Sequence, residues 1–200
     1  MTDDPTDPAP VPMSYGDYLA MDTILSAQHP LSDAHDEMLF IIQHQTSELW
    51  MRLALHEIGA ARGMIATGEL RPAFKMLTRV ARIFDQLNSA WDVLRTMTPS
   101  EYTHFRAALG SSSGFQSHQY RLIEYALGNR NLAMMRVHAH RPDLVAALEA
   151  ELEKPTLYHV ALEHLARVLG VDFAPFNLRE PCRHNDQISA AWTEVYRDPE

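Results

Sequence analysis

The sequence predicts an all-α fold, a helical bundle of long antiparallel helices, and three observations carry that reading. Apolar residues recur at three-four spacing through the long segments, as in Phe74, Leu77, Val80, Ala81, Phe84, Leu87 and Trp91. Helix punctuation falls between those segments: a Thr67-Gly68 stop, and the capping box TPSE at 98–101 with its proline at the first helical position. No segment sustains the alternation that a half-buried strand requires.

Taken in order, residues 1–13 hold four prolines and three aspartates with almost nothing to bury, so a disordered tail is expected. A single helical domain over 14–200 follows. YGDYLAMDTILSAQ (15–28) reads as one short helix ending near His29-Pro30, because the residue before a proline resists helical geometry. Ser32 is placed to cap the next helix, with Asp33, Asp36 and Glu37 complementing its dipole. That helix runs to Gly68, and a second long one begins near Arg71-Pro72. Beyond TPSE, the run GSSSG (110–114) interrupts and 115–128 resumes as helix. Shorter helices are expected at 130–139, 142–153 and 156–169, then a loop at 171–181 and a last helix at 185–196.

The 46% hydrophobic and 22% charged fractions are those of an ordinary globular chain. A net charge of −9, with arginines scattered singly, argues against a nucleic-acid surface. The acidic, proline-rich start is unlike a targeting peptide, and no apolar run approaches the roughly 18 residues that span a bilayer. The lone Cys182 excludes an intrachain disulfide. A cytoplasmic protein is expected.

The helix DEMLFIIQHQTSELWMRLALHE (36–57) carries two apolar stripes. Met38, Ile42, Leu49 and Leu53 make one; Phe40, His44, Ser47 and Met51 make the other. A helix buried on one side needs only one, so the second means burial all round or a cavity. His44 is then a candidate for holding a planar heteroaromatic ligand or moving a proton, since neutral imidazole offers one donor and one acceptor. A satisfied core or surface histidine is the plainer alternative.

Tyr102 and Arg106, four apart on one helix face, would suit a carboxylate: guanidinium grips two oxygens and the phenol donates a third bond. A surface Arg beside a half-buried Tyr has the same spacing. GSSSGFQS (110–117) would let backbone and small hydroxyls approach something large and flat, or is simply a helix stop followed by a serine cap. Metal-ligand spacings are weak. Glu101/His104 is a single Glu-x-x-His pair, His138 and His140 fall on different helix sides, and Cys182 has no evident base.

Together, LSAQHPLSDAHDEMLFIIQHQTSELWMRLALHE and TPSEYTHFRAALGSSSGFQSHQYRLIEYALGN closely resemble the signature segments of the tryptophan 2,3-dioxygenase family. YGDYLAMDTILSAQ and LEKPTLYHVAL resemble it too, and the likeness covers residues 14–196. The resemblance implies a haem dioxygenase-like all-α fold, haem b as cofactor and a cytoplasmic homotetramer. It implies an enzyme that inserts both atoms of dioxygen across the indole 2,3 bond of L-tryptophan, giving N-formyl-L-kynurenine, the entry to the kynurenine pathway. By the same resemblance His44 is the distal partner of the indole N–H and a possible base. Phe40, Ile41, Ile42, Gln43 and His44 form one substrate wall, and Tyr102 and Arg106 hold the substrate carboxylate. Ser113, Gly114 and Trp91 lie beside the haem, while Tyr15, Tyr18 and Leu19 reach into a neighbouring subunit's pocket.

Family members continue past the point matching Tyr196, with a proximal histidine in a Trp-Arg-x-x-His-like motif and a Gly/Thr-rich closing loop. None of the eleven histidines here has that context, so no metal-ligating residue is assigned. A dioxygenase truncated at its C-terminus is the expectation. The alternatives are a haemless homologue that binds tryptophan-like ligands or assists subunit assembly, and recruitment of another histidine to the iron.

Overall fold

The computed structural model of the chain describes residues 12–170, 178–181 and 186–197. Its described regular structure is entirely helical: α1 (Tyr15–Leu19), α2 (Met21–Leu25), α3 (Asp36–Thr67), α4 (Leu70–Leu94), α5 (Pro99–Arg106), α6 (His118–Leu127), α7 (Pro142–Leu152), α8 (Leu157–Leu169) and α9 (Asp186–Arg197). Two 3₁₀ segments, Gly114–Gln116 and Leu132–His138, flank α6. Most of the tail, most of the 171–181 loop, and Cys182 lie outside the described residues.

The frame is the α3–α4 hairpin. Gly68 ends α3 in a left-handed conformation (φ 86°), and the Glu69 N–H bonds back to the Met64 carbonyl at 2.8 Å. A two-residue connection forces α4 antiparallel against α3. Met51, Ala54 and Ile58 of α3 then pack with Val80 and Ile83 of α4 and with Ile123 and Ala126 of α6. Farther along, Ile65, Ala73 and Val160 bring in α8, and α9 packs on α8 through Leu162, Leu165, Ile188 and Ala191.

Three expectations are corrected. Residues 15–28 are two five-residue helices, not one, divided at Ala20 in the left-handed region (φ 50°). Ser14 and Asp17 form a capping box that starts the first, yet neither helix buries a residue, so no packing holds a continuous rod together. Ser32 does not cap α3, whose first preceding residue is His35 with no side-chain cap. Instead Glu37 reaches backwards and accepts from the Leu31 N–H (2.7 Å), the Ser32 N–H (2.8 Å) and the Ser32 hydroxyl (2.5 Å). Residues 130–139 coil as a 3₁₀ helix over 132–138 rather than an α-helix.

Arg130 explains how that segment is held. It is 1% exposed and donates to the carbonyls of Tyr125, Leu152, Glu151 and Lys154 at 2.6–3.3 Å. One guanidinium thus supplies donors at the C-terminal ends of both α6 and α7, where carbonyls lack helical partners. Among the described residues no helix is long and apolar enough to cross a membrane.

Candidate functional site

A cavity of about 740 Å³ opens where α3, α4 and α6 meet the 3₁₀ segments. From α3 it takes Gln43, His44, Ser47, Glu48 and Met51; from α4, Phe84, Leu87, Asn88 and Trp91. Ser113, Gly114 and Phe115 form a rim, and Ser117, Tyr120, Arg121 and Glu124 line the α6 side with Asn131 and Met134 beyond. The second stripe of α3 therefore borders a cavity. Of the first stripe, Met38, Ile42 and Leu49 are exposed.

His44 has a fixed tautomer. Its Nδ1 lies 2.8 Å from the Phe40 carbonyl, which can only accept, so Nδ1 carries the proton and Nε2 is left as an acceptor. The ring also lies against Phe40, centroid to centroid 4.1 Å. Phe40 contacts Tyr102 (5.9 Å) and the fully buried Phe105 (5.5 Å), which meet each other edge-on at 5.3 Å. This aromatic cluster clamps the start of α3 to α5. The clamp comes from local chemistry: Thr98 and Glu101 cap α5 reciprocally, and the Glu101 carboxyl is held below its usual range chiefly by the Thr98 N–H.

Gln43, His44, Trp91, Ser113 and Gly114 share the cavity wall, and Phe40 and Tyr102 join them through ring contacts. Ile41 is half-buried and Ile42 is exposed, neither lining the cavity. Arg106 is exposed, and its Nη1 donates to the Gly110 carbonyl at 2.8 Å, tying α5 to the serine loop. Tyr15 (78% exposed) and Tyr18 (75%) stand on α1 with half-buried Leu19, away from the cavity lining.

Sequence reasoning passed over Phe84, Leu87, Tyr120, Arg121 and Glu124. Their helical spacing reads as core or surface, and only the packing of α4 and α6 on α3 turns them toward a common space. Gln119 was also silent: its Nε2 donates to the Glu48 carbonyl (2.7 Å) and carboxylate (2.8 Å), fastening α6 to the cavity face of α3. Among the described residues no group of three or more His, Cys, Asp or Glu side chains could hold a metal ion.

A family model described as tryptophan 2,3-dioxygenase matches residues 5–188. The chain is 70% identical over 190 residues to a curated protein named tryptophan 2,3-dioxygenase from Ruegeria pomeroyi, covering 94% of this chain and 68% of the relative. It is 64% identical to one of that name from a Bradyrhizobium species (94% and 68%), and 57% to one from Cupriavidus necator (94% and 65%). It thus spans about two thirds of the length of these relatives. Their names are those of enzymes, which favours catalysis over a haemless binding or assembly module.

Proposed function

The chain belongs to the tryptophan 2,3-dioxygenase family, and from that premise we propose that it serves the haem-dependent opening of the L-tryptophan indole ring to N-formyl-L-kynurenine. The observation that carries the reading is His44. An indole N–H is a donor only, and the one imidazole lining the cavity among the described residues presents an acceptor nitrogen, because the Phe40 carbonyl sets its tautomer. His44 Nε2 orients the ring by accepting that N–H and is placed to receive its proton.

The fit to haem b rests on the walls. Phe84, Leu87, Trp91 and Met134 offer apolar surface, and Ser113 and Gly114 add little bulk to a rim that also carries Phe115. Haem, when bound, supplies the iron that activates dioxygen. Among the described residues His44 is the one imidazole in the cavity lining.

Tyr102 and Arg106 are the proposed carboxylate partners. Phe40 joins Tyr102 to His44 by ring contact, so both ends of an amino-acid substrate would be anchored to one aromatic cluster. Arg106 makes no ion pair among the described residues, which leaves its charge for a ligand. The apolar walls exclude water from the indole. Homotetramer assembly, with α1 seated in a neighbouring copy, suits the exposed Tyr15 and Tyr18, and the cytoplasm suits a chain with a single cysteine.

The test is product identification. Protein supplied with haem, L-tryptophan and isotopically labelled dioxygen should release N-formyl-L-kynurenine carrying both labelled atoms. His44→Ala should slow this while haem uptake persists. A haem-loaded protein that makes no product overturns the reading, and loss of haem on His44→Ala would make that residue an iron ligand instead.

A further inference from the structure

We propose that the 3₁₀ coil forming one wall of the cavity is an acid-released gate, with proton uptake by His138 as its trigger. The gate would act on any ligand the cavity takes. Asn131, just before the coil, and Met134, within it, line the cavity. At the far end His138 roots the coil, 1% exposed, with its ring edge-on to His118 at 5.7 Å.

The two imidazoles join three elements. His118 begins α6, and its Nε2 lies 3.1 Å from the Leu144 carbonyl of α7. That carbonyl can only accept, so Nε2 donates and ties α6 to α7. The His138 Nε2 is buried with no partner. A neutral ring can leave a bare lone pair there, whereas imidazolium donates from both nitrogens. Protonation therefore sets a charged N–H in a buried place with no acceptor, which is costly.

The charges facing His138 add to that cost. α6 contributes His118 and Arg121, the latter 5% exposed, and His140 follows just beyond the coil. Arg136 stands exposed on the coil itself. The carboxylates of α6 and α7 are committed elsewhere: Glu124 to Arg121, Asp143 to Arg141, Glu149 to Arg179, and Glu151 to Arg62 and Lys154. Burial holds His138 below the usual imidazole range, and His118, Arg121 and His140 push it further down. A depressed folded pKa favours the seated coil above the free value of about 6.5, and that advantage is lost as pH falls through the folded value. A released coil takes Asn131 and Met134 out of the wall.

Hydrogen exchange of the full chain, corrected for the intrinsic effect of pH, tests this. From about pH 7.5 to about pH 5.5, wild type should lose about tenfold protection at residues 132–138, as linkage to one proton gives over one pH unit. Ala54 and Val80, in the α3–α4 core, should hold theirs. His138→Gln, which cannot take up a proton, should keep its protection across that range. If this variant unseats the coil at both ends of the range, wild-type NMR decides: opening must track the His138 ring titration. Opening that tracks His159 instead, the other buried imidazole with a depressed pKa among the described residues, overturns the gate. So does a wild-type coil that stays protected in acid, or one that opens on acidification alike in wild type and variant.

Discussion

Position 44 and position 106 differ in how much of their role spacing alone could carry. A half-apolar second stripe on α3 announces that something other than solvent faces His44. Only the Phe40 carbonyl, four residues back, decides which nitrogen is the acceptor. Arg106 is the reverse: its helical partnership with Tyr102 is plain from the sequence, but its exposure and its bond to Gly110 depend on where the serine loop folds. If the pair holds a substrate carboxylate, Arg106→Ala should weaken L-tryptophan binding by about 10- to 100-fold in calorimetry, the loss of one or two charge-assisted bonds. An unchanged affinity removes Arg106 from the site. Glu37 gives a pH signature. Its carboxyl is held below the ordinary range, chiefly by the Ser32 hydroxyl and then by the Leu31 N–H. A depressed folded pKa contributes stability that is present above the unfolded value, about 4.3, and is lost as pH falls through the folded one. Glu37→Gln should therefore lower the urea midpoint at pH 7 and converge with wild type in acid. A gap that stays constant down the pH scale would contradict this.

Elements with a local cause were readable. The Thr98–Glu101 box, the Gly68 stop and Pro142 at a helix start each act through neighbours in sequence, and α3, α5 and α7 begin or end where these residues put them. Elements decided at a distance were not. Nothing within YGDYLAMDTILSAQ marks Ala20 as a break; the helix divides because no core is there to keep it whole. Likewise the chain just before the 3₁₀ coil at 132–138 is fixed by Arg130, whose partners Glu151, Leu152 and Lys154 lie more than twenty residues away. Arg130→Met should cost about 3 kcal/mol of unfolding free energy, since several buried carbonyls lose their donor at about 1 kcal/mol each. Arg130→Lys should recover only part, because a single ammonium cannot reach carbonyls on two helix ends. A loss under about 1 kcal/mol in chemical denaturation would mean that water replaces the guanidinium.

Across the whole molecule, the all-α class follows from periodicity, but the convergence of the cavity does not. Trp91, Ser113 and His44 lie on three separate segments, and no pattern within any one of them says that they meet. The family motifs pointed to them; packing of α6 against α3 and α4 brings them together. The two-residue connection at Gly68-Glu69 has a kinetic consequence. It joins the two longest helices by the shortest possible chain excursion, so their mutual contacts close with little loop entropy. That pair should form the folding nucleus, onto which α6 and α8 condense later. Pulsed hydrogen exchange during refolding should protect the amides of Ala54, Ile58, Val80 and Ile83 before those of Leu148 or Leu162, and simultaneous protection would place the nucleus elsewhere.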